Sequence, residues 1–227
     1  MTFSIAGRCS RTGMFGIAIS TSSIAVAARC PWARARVGAV STQNVTDPRL
    51  GPKGLDLLQQ GLSAPDAMKQ LIAHAPHSEY RQVTMIDTEG RTAVWSGAKV
   101  LGTHGAAEGK NCVAAGNLLQ NPGVPRAMVR AFEAETEMTL AERLLVALEE
   151  AVVAGGEAGP VHSAALLVMD QQPWALVDLR VDWADENPIG GVRKLWEAYR
   201  PQMQDYVTRA LDPSAAPSYG VPGDPGR

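Results

Sequence analysis

Stretches with the two-residue alternation of a β-strand come in groups along this chain, and stretches with helical spacing come in pairs between them. TFSIAGR (2–8) and MFGIAIS (14–20), separated by a polar turn from Cys9 to Gly13, predict a first hairpin. A further strand, VGAVSTQ (37–43), precedes two helices. One lies near 52–60 and carries Leu55, Leu57 and Leu58; the other runs from Ser63 through Ala67, Met68, Leu71 and Ile72. RQVTMID and RTAVWSG form a second hairpin turning at Thr88-Glu89-Gly90, and NCVAAGN (111–117) reads as a core strand. Two more helices follow, VPRAMVRAFEAE and one that begins at Thr139. Strands HSAALLVMD and WALVDLRVD and a last amphipathic helix, WEAYRPQMQDYVTRAL, complete the order. Strands grouped with strands, and helices with helices, argue against an alternating parallel sheet. They predict an α+β architecture in which two antiparallel sheets carry helices on their outer faces.

Local signals support these elements. Ser63-Ala-Pro-Asp66 starts its helix with a hydroxyl cap and a proline in the first turn, and Thr139 with Glu142 forms a capping box. From there Leu140, Leu144, Leu148 and Val152 predict an apolar stripe for core packing. Residues 24–36 contain Pro31 and three arginines and read as an irregular connection. Pro, Gly, Ser and Asp fill most of 212–227, which reads as a disordered tail behind a single domain spanning 1–211.

At 227 residues the chain can bury one large core, and its net charge of −2 shows no basic excess for nucleic acid. No secretory signal and no apolar run of membrane-spanning length stands out, so the expected place is the cytoplasm and no membrane partner is expected. Cys9, Cys30 and Cys112 are widely spaced and read as buried free thiols. His74 and His77 sit at a helix end without the spacing of metal ligands, so neither a metal nor a cofactor is expected. Dinucleotide, P-loop and nucleophile-elbow motifs are missing from the sequence.

The blocks MTFSI, CPWARARVGAVSTQ, DPRLGPKGLDLL, AAGNLL, SAALLV and DLRVD occur in this order from residue 2 to about residue 200. In these blocks the chain resembles the DUF1028 family of bacterial and archaeal proteins. That family is similar to the N-terminal nucleophile (Ntn) hydrolases, so the resemblance implies a four-layer αββα sandwich. It also gives the opening MTFSI a chemical meaning, because such hydrolases begin a core strand with Thr, Ser or Cys.

Thr at position 2 is small enough for Met1 to be trimmed, and a free N-terminal Thr carries nucleophile and base on one residue. Its α-amine, with an ordinary pKa of about 7.7–8.0, can accept the hydroxyl proton near neutral pH. The implied activity is an amidohydrolase that cleaves a small-molecule amide or ureido C–N bond. The alternative is a non-catalytic binding or assembly protein that keeps the sandwich. Asn117, in AAGNLL, is the candidate oxyanion donor. Arg34 in PWARAR is the candidate for gripping a substrate carboxylate or ureido oxygen, with Arg36 as its rival. Gln43 and Asn44 either orient a substrate amide or cap their strand. Asp178 and Arg180, two apart on a strand, read as an ion pair, with a second role for Asp178 in holding the Thr2 amine. The hydroxyls of 20–23 either relay protons or form a polar turn. Association into a homo-oligomer is expected from the layered fold.

Overall fold

In the computed structural model, residues 1–221 are described. Ten strands and six helices follow one another as β1 (Thr2–Arg8), β2 (Phe15–Thr21), β3 (Pro31–Arg34), β4 (Gly38–Asn44), α1 (Leu50–Gln59), α2 (Ala64–Ala73), β5 (Arg81–Asp87) and β6 (Thr92–Ser96), then β7 (Gly105–Gly109), β8 (Cys112–Asn117), α3 (Val124–Ala134), α4 (Leu140–Val153), β9 (Ser163–Met169), β10 (Ala175–Val181), α5 (Pro188–Tyr199) and α6 (Met203–Leu211). The strands form two wholly antiparallel sheets, ordered β10-β9-β2-β1-β8-β7 and β3-β4-β5-β6.

Alternation along the strands explains how the sheets stack. Phe3 and Ile5 of β1 point outward into a core built with Met128, Phe132, Leu144 and Leu148 of α3 and α4. Ala6, Phe15, Ile17, Ile19 and Val113 point inward, where they meet Ala39 and Ile86 of the second sheet. On that sheet's other face, Val40, Val83 and Met85 pack on Leu55 and Leu58 of α1 and Met68 and Leu71 of α2. Helices, sheet, sheet and helices make the four-layer αββα sandwich. Complete burial of each large apolar side chain contributes about 1.5–3 kcal/mol, and all three cores contain several.

The hydroxyl caps are as the sequence predicts, with Ser63 Oγ accepting from the Asp66 amide and Thr139 Oγ from the Glu142 amide, but the Glu142 carboxylate accepts from Arg193 and Trp196 instead of closing the expected box. Other expectations need correction. The segment read as an irregular connection contains β3, and β7 lies in a stretch with no predicted strand. Val152 of the expected stripe is 51 % exposed; Leu145, Ala147 and Ala151 complete the buried face of α4 instead. The last helix starts earlier, at Pro188, and is interrupted around Pro201, so α5 and α6 are separate. Cys9, Cys30 and Cys112 are free and buried. Of the expected tail 212–227, residues 222–227 lie outside the described residues. Residues 213–221 hold turns, bends and irregular backbone but no helix or strand, and Tyr219 lies beneath the Arg209 guanidinium of α6. Among the described residues, no helix is long and apolar enough to cross a membrane.

Candidate functional site

The layer between the sheets changes character along its length. One half is the apolar cluster around Ile17, Ile19 and Ile86. The other half, at the beginning of β1, holds Thr2, Ser4, Thr21, Ser41, Gln43, Gln82, Thr84 and Asn117, all buried. Strand alternation puts them there. Thr2 and Ser4 share the inward face of β1 with Ala6, and Asn117 is opposite Thr2 in the β1–β8 register.

Hydrogen bonds tie the two sheets across this half. Ser4 Oγ donates to Gln43 Oε1 at 2.7 Å and lies 3.2 Å from Ser41 Oγ. Gln43 Nε2 donates to Gln82 Oε1 at 2.8 Å, and Asn117 Nδ2 donates to the same oxygen at 3.1 Å. Gln82 Nε2 in turn donates to the Gly116 carbonyl at 3.2 Å and to Ser96 Oγ at 3.1 Å. This ordering fixes which end of each amide is which. Asn117 Oδ1 and Thr84 Oγ1 are buried and have no partner among the described residues. Each such orphan costs about 1–3 kcal/mol, which marks the cluster as something other than a structural network alone.

Thr2 is 5 % exposed. Its Oγ lies 3.2 Å from Thr21 Oγ, and both hydroxyls donate to the Met1 carbonyl. Thr21 is thus the member of the 20–23 run that stands beside Thr2, whereas Ser20 donates to the Ser163 carbonyl. Cys30, just before β3, packs in the inter-sheet layer, and burial pushes its thiol up to about 11 against a small pull from the Met1 α-amine.

Ser4, Ser41, Gln82 and Thr84 of this cluster escaped sequence reasoning, and so did Glu157. The segment after α4 pairs with the end of β8 through a Leu119–Glu157 bridge and an Ala158 N–H to the Leu118 carbonyl. It then reaches β2, where the His162 N–H donates to the Thr21 carbonyl. Because β1 lies between β8 and β2, this segment crosses the beginning of β1. Glu157 is 7 % exposed, and neither carboxyl oxygen has a hydrogen-bond partner among the described residues. Burial pushes its carboxyl up to about 8, against smaller pulls from the Met1 α-amine and from Ser22. A lone Glu in GGEAG carries no sequence signal of burial.

The structure brings together Thr2, Gln43 and Asn117 but not the other predicted residues. Asn44 adopts a left-handed conformation at the end of β4; its Nδ2 donates to the Tyr80 carbonyl and its Oδ1 accepts from Leu101 N–H. It caps the strand and its loop. Arg34 is at the far end of the second sheet and on its outer face, where its guanidinium binds Asp56 and Gln59 of α1. Strand parity turns it toward the helix layer, so it does not reach the cluster. Arg36 is exposed in the following turn. Asp178 is on the edge strand β10, three strands from β1, where it binds the Arg180 guanidinium at 2.7 Å. The ion pair is therefore its role, and the Thr2 amine is out of its reach.

No curated protein matches the chain significantly. Among solved structures, a Silicibacter pomeroyi protein carrying the DUF1028 label is 30% identical, with a TM-score of 0.81 over 87% of this chain and 88% of that one. Anbu, the ancestral beta-subunit, from Yersinia bercovieri aligns over 90% of this chain and 97% of its own at 10% identity and a TM-score of 0.40. Anbu from Hyphomicrobium sp. strain MC1 aligns over 91% and 98% at 13% identity and a TM-score of 0.36. Both Anbu similarities are too slight to bear on the site. A family model described as a family of unknown function, DUF1028, matches residues 2–192, and the chain therefore belongs to DUF1028.

Proposed function

We propose that the protein is an N-terminal-nucleophile amidohydrolase in which Thr2, freed by removal of Met1, opens a small-molecule amide or ureido C–N bond. The observation that carries this reading is the position of Thr2. It begins a central strand with its hydroxyl turned into the one polar half of the inter-sheet layer, opposite Asn117. As Thr2 Oγ bonds to the substrate carbonyl carbon, its proton passes to the α-amine, which then delivers it to the departing nitrogen as the C–N bond breaks. Water, activated by the same amine, attacks the resulting ester and releases the acid with Thr2 restored. Asn117 Nδ2 has one hydrogen engaged by Gln82 and a second for the developing oxyanion.

The inward-facing groups are amides and hydroxyls, which suits a neutral amide or ureido group. With Arg34 bound to α1, no guanidinium serves a substrate carboxylate in this reading. Action in the cytoplasm, as a homo-oligomer, on a small molecule and without cofactor, metal, nucleic acid or membrane belongs to the same proposal. The alternative, a non-catalytic binding or assembly protein, draws on one observation: Met1 lies over Thr2 and its carbonyl occupies both hydroxyls.

An intact mass spectrum before and after exposure to a Thr-reactive β-lactone separates the two. Loss of Met1 and an adduct on Thr2, absent in Thr2→Ala, is expected. Retained Met1, or an adduct that persists in Thr2→Ala, would sink the nucleophile reading.

A further inference from the structure

We propose that Glu157 is the positioning residue of this nucleophile, its carboxylate holding the α-amine that removal of Met1 exposes on Thr2. The inference rests on the reading of Thr2 above and assigns the one group that reading lacks, a partner for the amine.

Three observations converge on it. First, the backbone bridges at Leu118, Leu119 and Thr21 lead the Glu157-to-His162 segment across the beginning of β1. The next part of that segment is also close, since a Cβ on Gly159 would lie 3.7 Å from Met1 Cε. Second, the Glu157 carboxyl is buried with both oxygens unpartnered, although the great majority of buried polar groups are hydrogen-bonded. A buried carboxylate without a well-formed hydrogen bond is costly, and a cation arriving beside it removes much of that cost. Third, the Met1 α-amine already acts on Glu157 and draws its carboxyl down against the effect of burial. Trimming moves the chain's positive end one residue along β1, onto Thr2 itself.

The other groups facing this place do not compete for the role. Cys30 immediately precedes β3, and burial keeps its thiol neutral. Arg29, beside it, donates to the Ala25 and Ile24 carbonyls and to Ser23 Oγ. His162 donates its Nδ1–H to the Ala184 carbonyl and stacks on Trp183. Ser22 draws weakly on the Glu157 carboxyl through its hydroxyl and its amide, neither in a well-formed hydrogen bond, and it carries no charge to offset a buried carboxylate.

In the reaction, the proton from Thr2 Oγ converts the amine to an ammonium as the Oγ–C bond forms. The Glu157 carboxylate stabilises that ammonium and fixes its lone-pair direction beforehand, as the carboxylate of a Ser-His-Asp triad does for its imidazolium. Glu157 neither gains nor loses a proton over the cycle; the ammonium gives its proton to the leaving nitrogen.

The test is the titration of the Thr2 α-amine by NMR in the full chain labelled with 15N-threonine, together with the pH profile of β-lactone labelling. An adjacent carboxylate raises the pKa of an amine, so Glu157→Gln is expected to lower both midpoints by about one pH unit. Glu157→Asp keeps the charge at greater distance and is expected to fall between the two; it also serves if the Gln variant does not fold. A purely structural role would leave the midpoints in place. A trimmed, labelled wild type whose midpoints match those of Glu157→Gln and Glu157→Asp overturns this inference alone. A chain that retains Met1 overturns the nucleophile reading and this inference with it.

Discussion

Gln82 accepts hydrogen bonds from Gln43 and Asn117 through a single amide oxygen, so Gln82→Ala leaves two buried N–H groups without acceptors at once. Each stranded donor costs about 1–3 kcal/mol, and the variant should lose roughly 2–6 kcal/mol of stability in urea unfolding. Thr84→Val should do the opposite. Thr84 Oγ1 is buried without a partner, and an isosteric methyl removes that cost, which gives a gain of about 1 kcal/mol by the same measurement. Destabilisation by Thr84→Val would mean that its hydroxyl has a partner after all. The contrast between these two residues also explains what the sequence could say about the site. Thr2 and Asn117 were legible because a strand start and a strand end are local features, and antiparallel pairing sets them opposite each other. Gln82 and Ser41 sit within alternating strands where a polar residue ordinarily faces water; only the stacking of a second sheet makes those positions interior. Glu157 is further removed, because its burial depends on a segment crossing a strand that is far from it in sequence.

At the scale of elements, the two strands that sequence patterning missed are both at sheet edges. β3 is PWAR and β7 is GAAEG. An edge strand needs one bonded side only, so it tolerates Pro at its first residue and can form without the β-branched and aromatic residues that mark a strand in the sequence. The central strands β1, β2, β8 and β9 carry the β-branched and aromatic residues, or the unbroken apolar run, that make a strand readable. Likewise, Pro188, Gly190 and Gly191 hid the start of α5. Its Pro sits in the first turn, where no amide is missed, and Asn187 Oδ1 accepts from the Gly190 N–H as its cap. Glycine has a different use in α1. A Cβ on Gly51 would lie 2.1 Å from Trp32 Cδ1, so this glycine lets α1 approach β3. Ala is the better helix former by about 1 kcal/mol, yet Gly51→Ala should destabilise by about 1–3 kcal/mol, because the indole is also held by its Nε1–H to the Arg29 carbonyl. A higher urea midpoint for Gly51→Ala would show that Trp32 moves freely.

For the whole molecule, two buried carboxyls at opposite ends of the sandwich tilt stability with pH in opposite senses. Burial opposes ionisation of Asp87, but hydrogen bonds from the Ala64, Arg91 and Glu89 amides and from the Arg91 guanidinium outweigh it, so its pKa lies below the ordinary range. The unfolded chain then binds the proton more readily, with a carboxyl near 3.9, and the stability that Asp87 supplies is present above that pH and lost as pH falls through the folded value. Glu157 runs the other way. Burial puts its folded pKa at about 8, while an unfolded Glu titrates near 4.3, so between these values the folded chain holds a proton that the unfolded chain releases. Its contribution therefore falls as pH rises through that window and is level above it. Urea midpoints between pH 3 and 9, on chain made with methionine trimming inhibited, should show an acid limb that flattens in Asp87→Asn and a decline between about pH 4 and 8 that flattens in Glu157→Gln. A decline unchanged in Glu157→Gln would mean that this carboxyl is ionised in the folded protein, already paired as the freed amine of Thr2 would pair it.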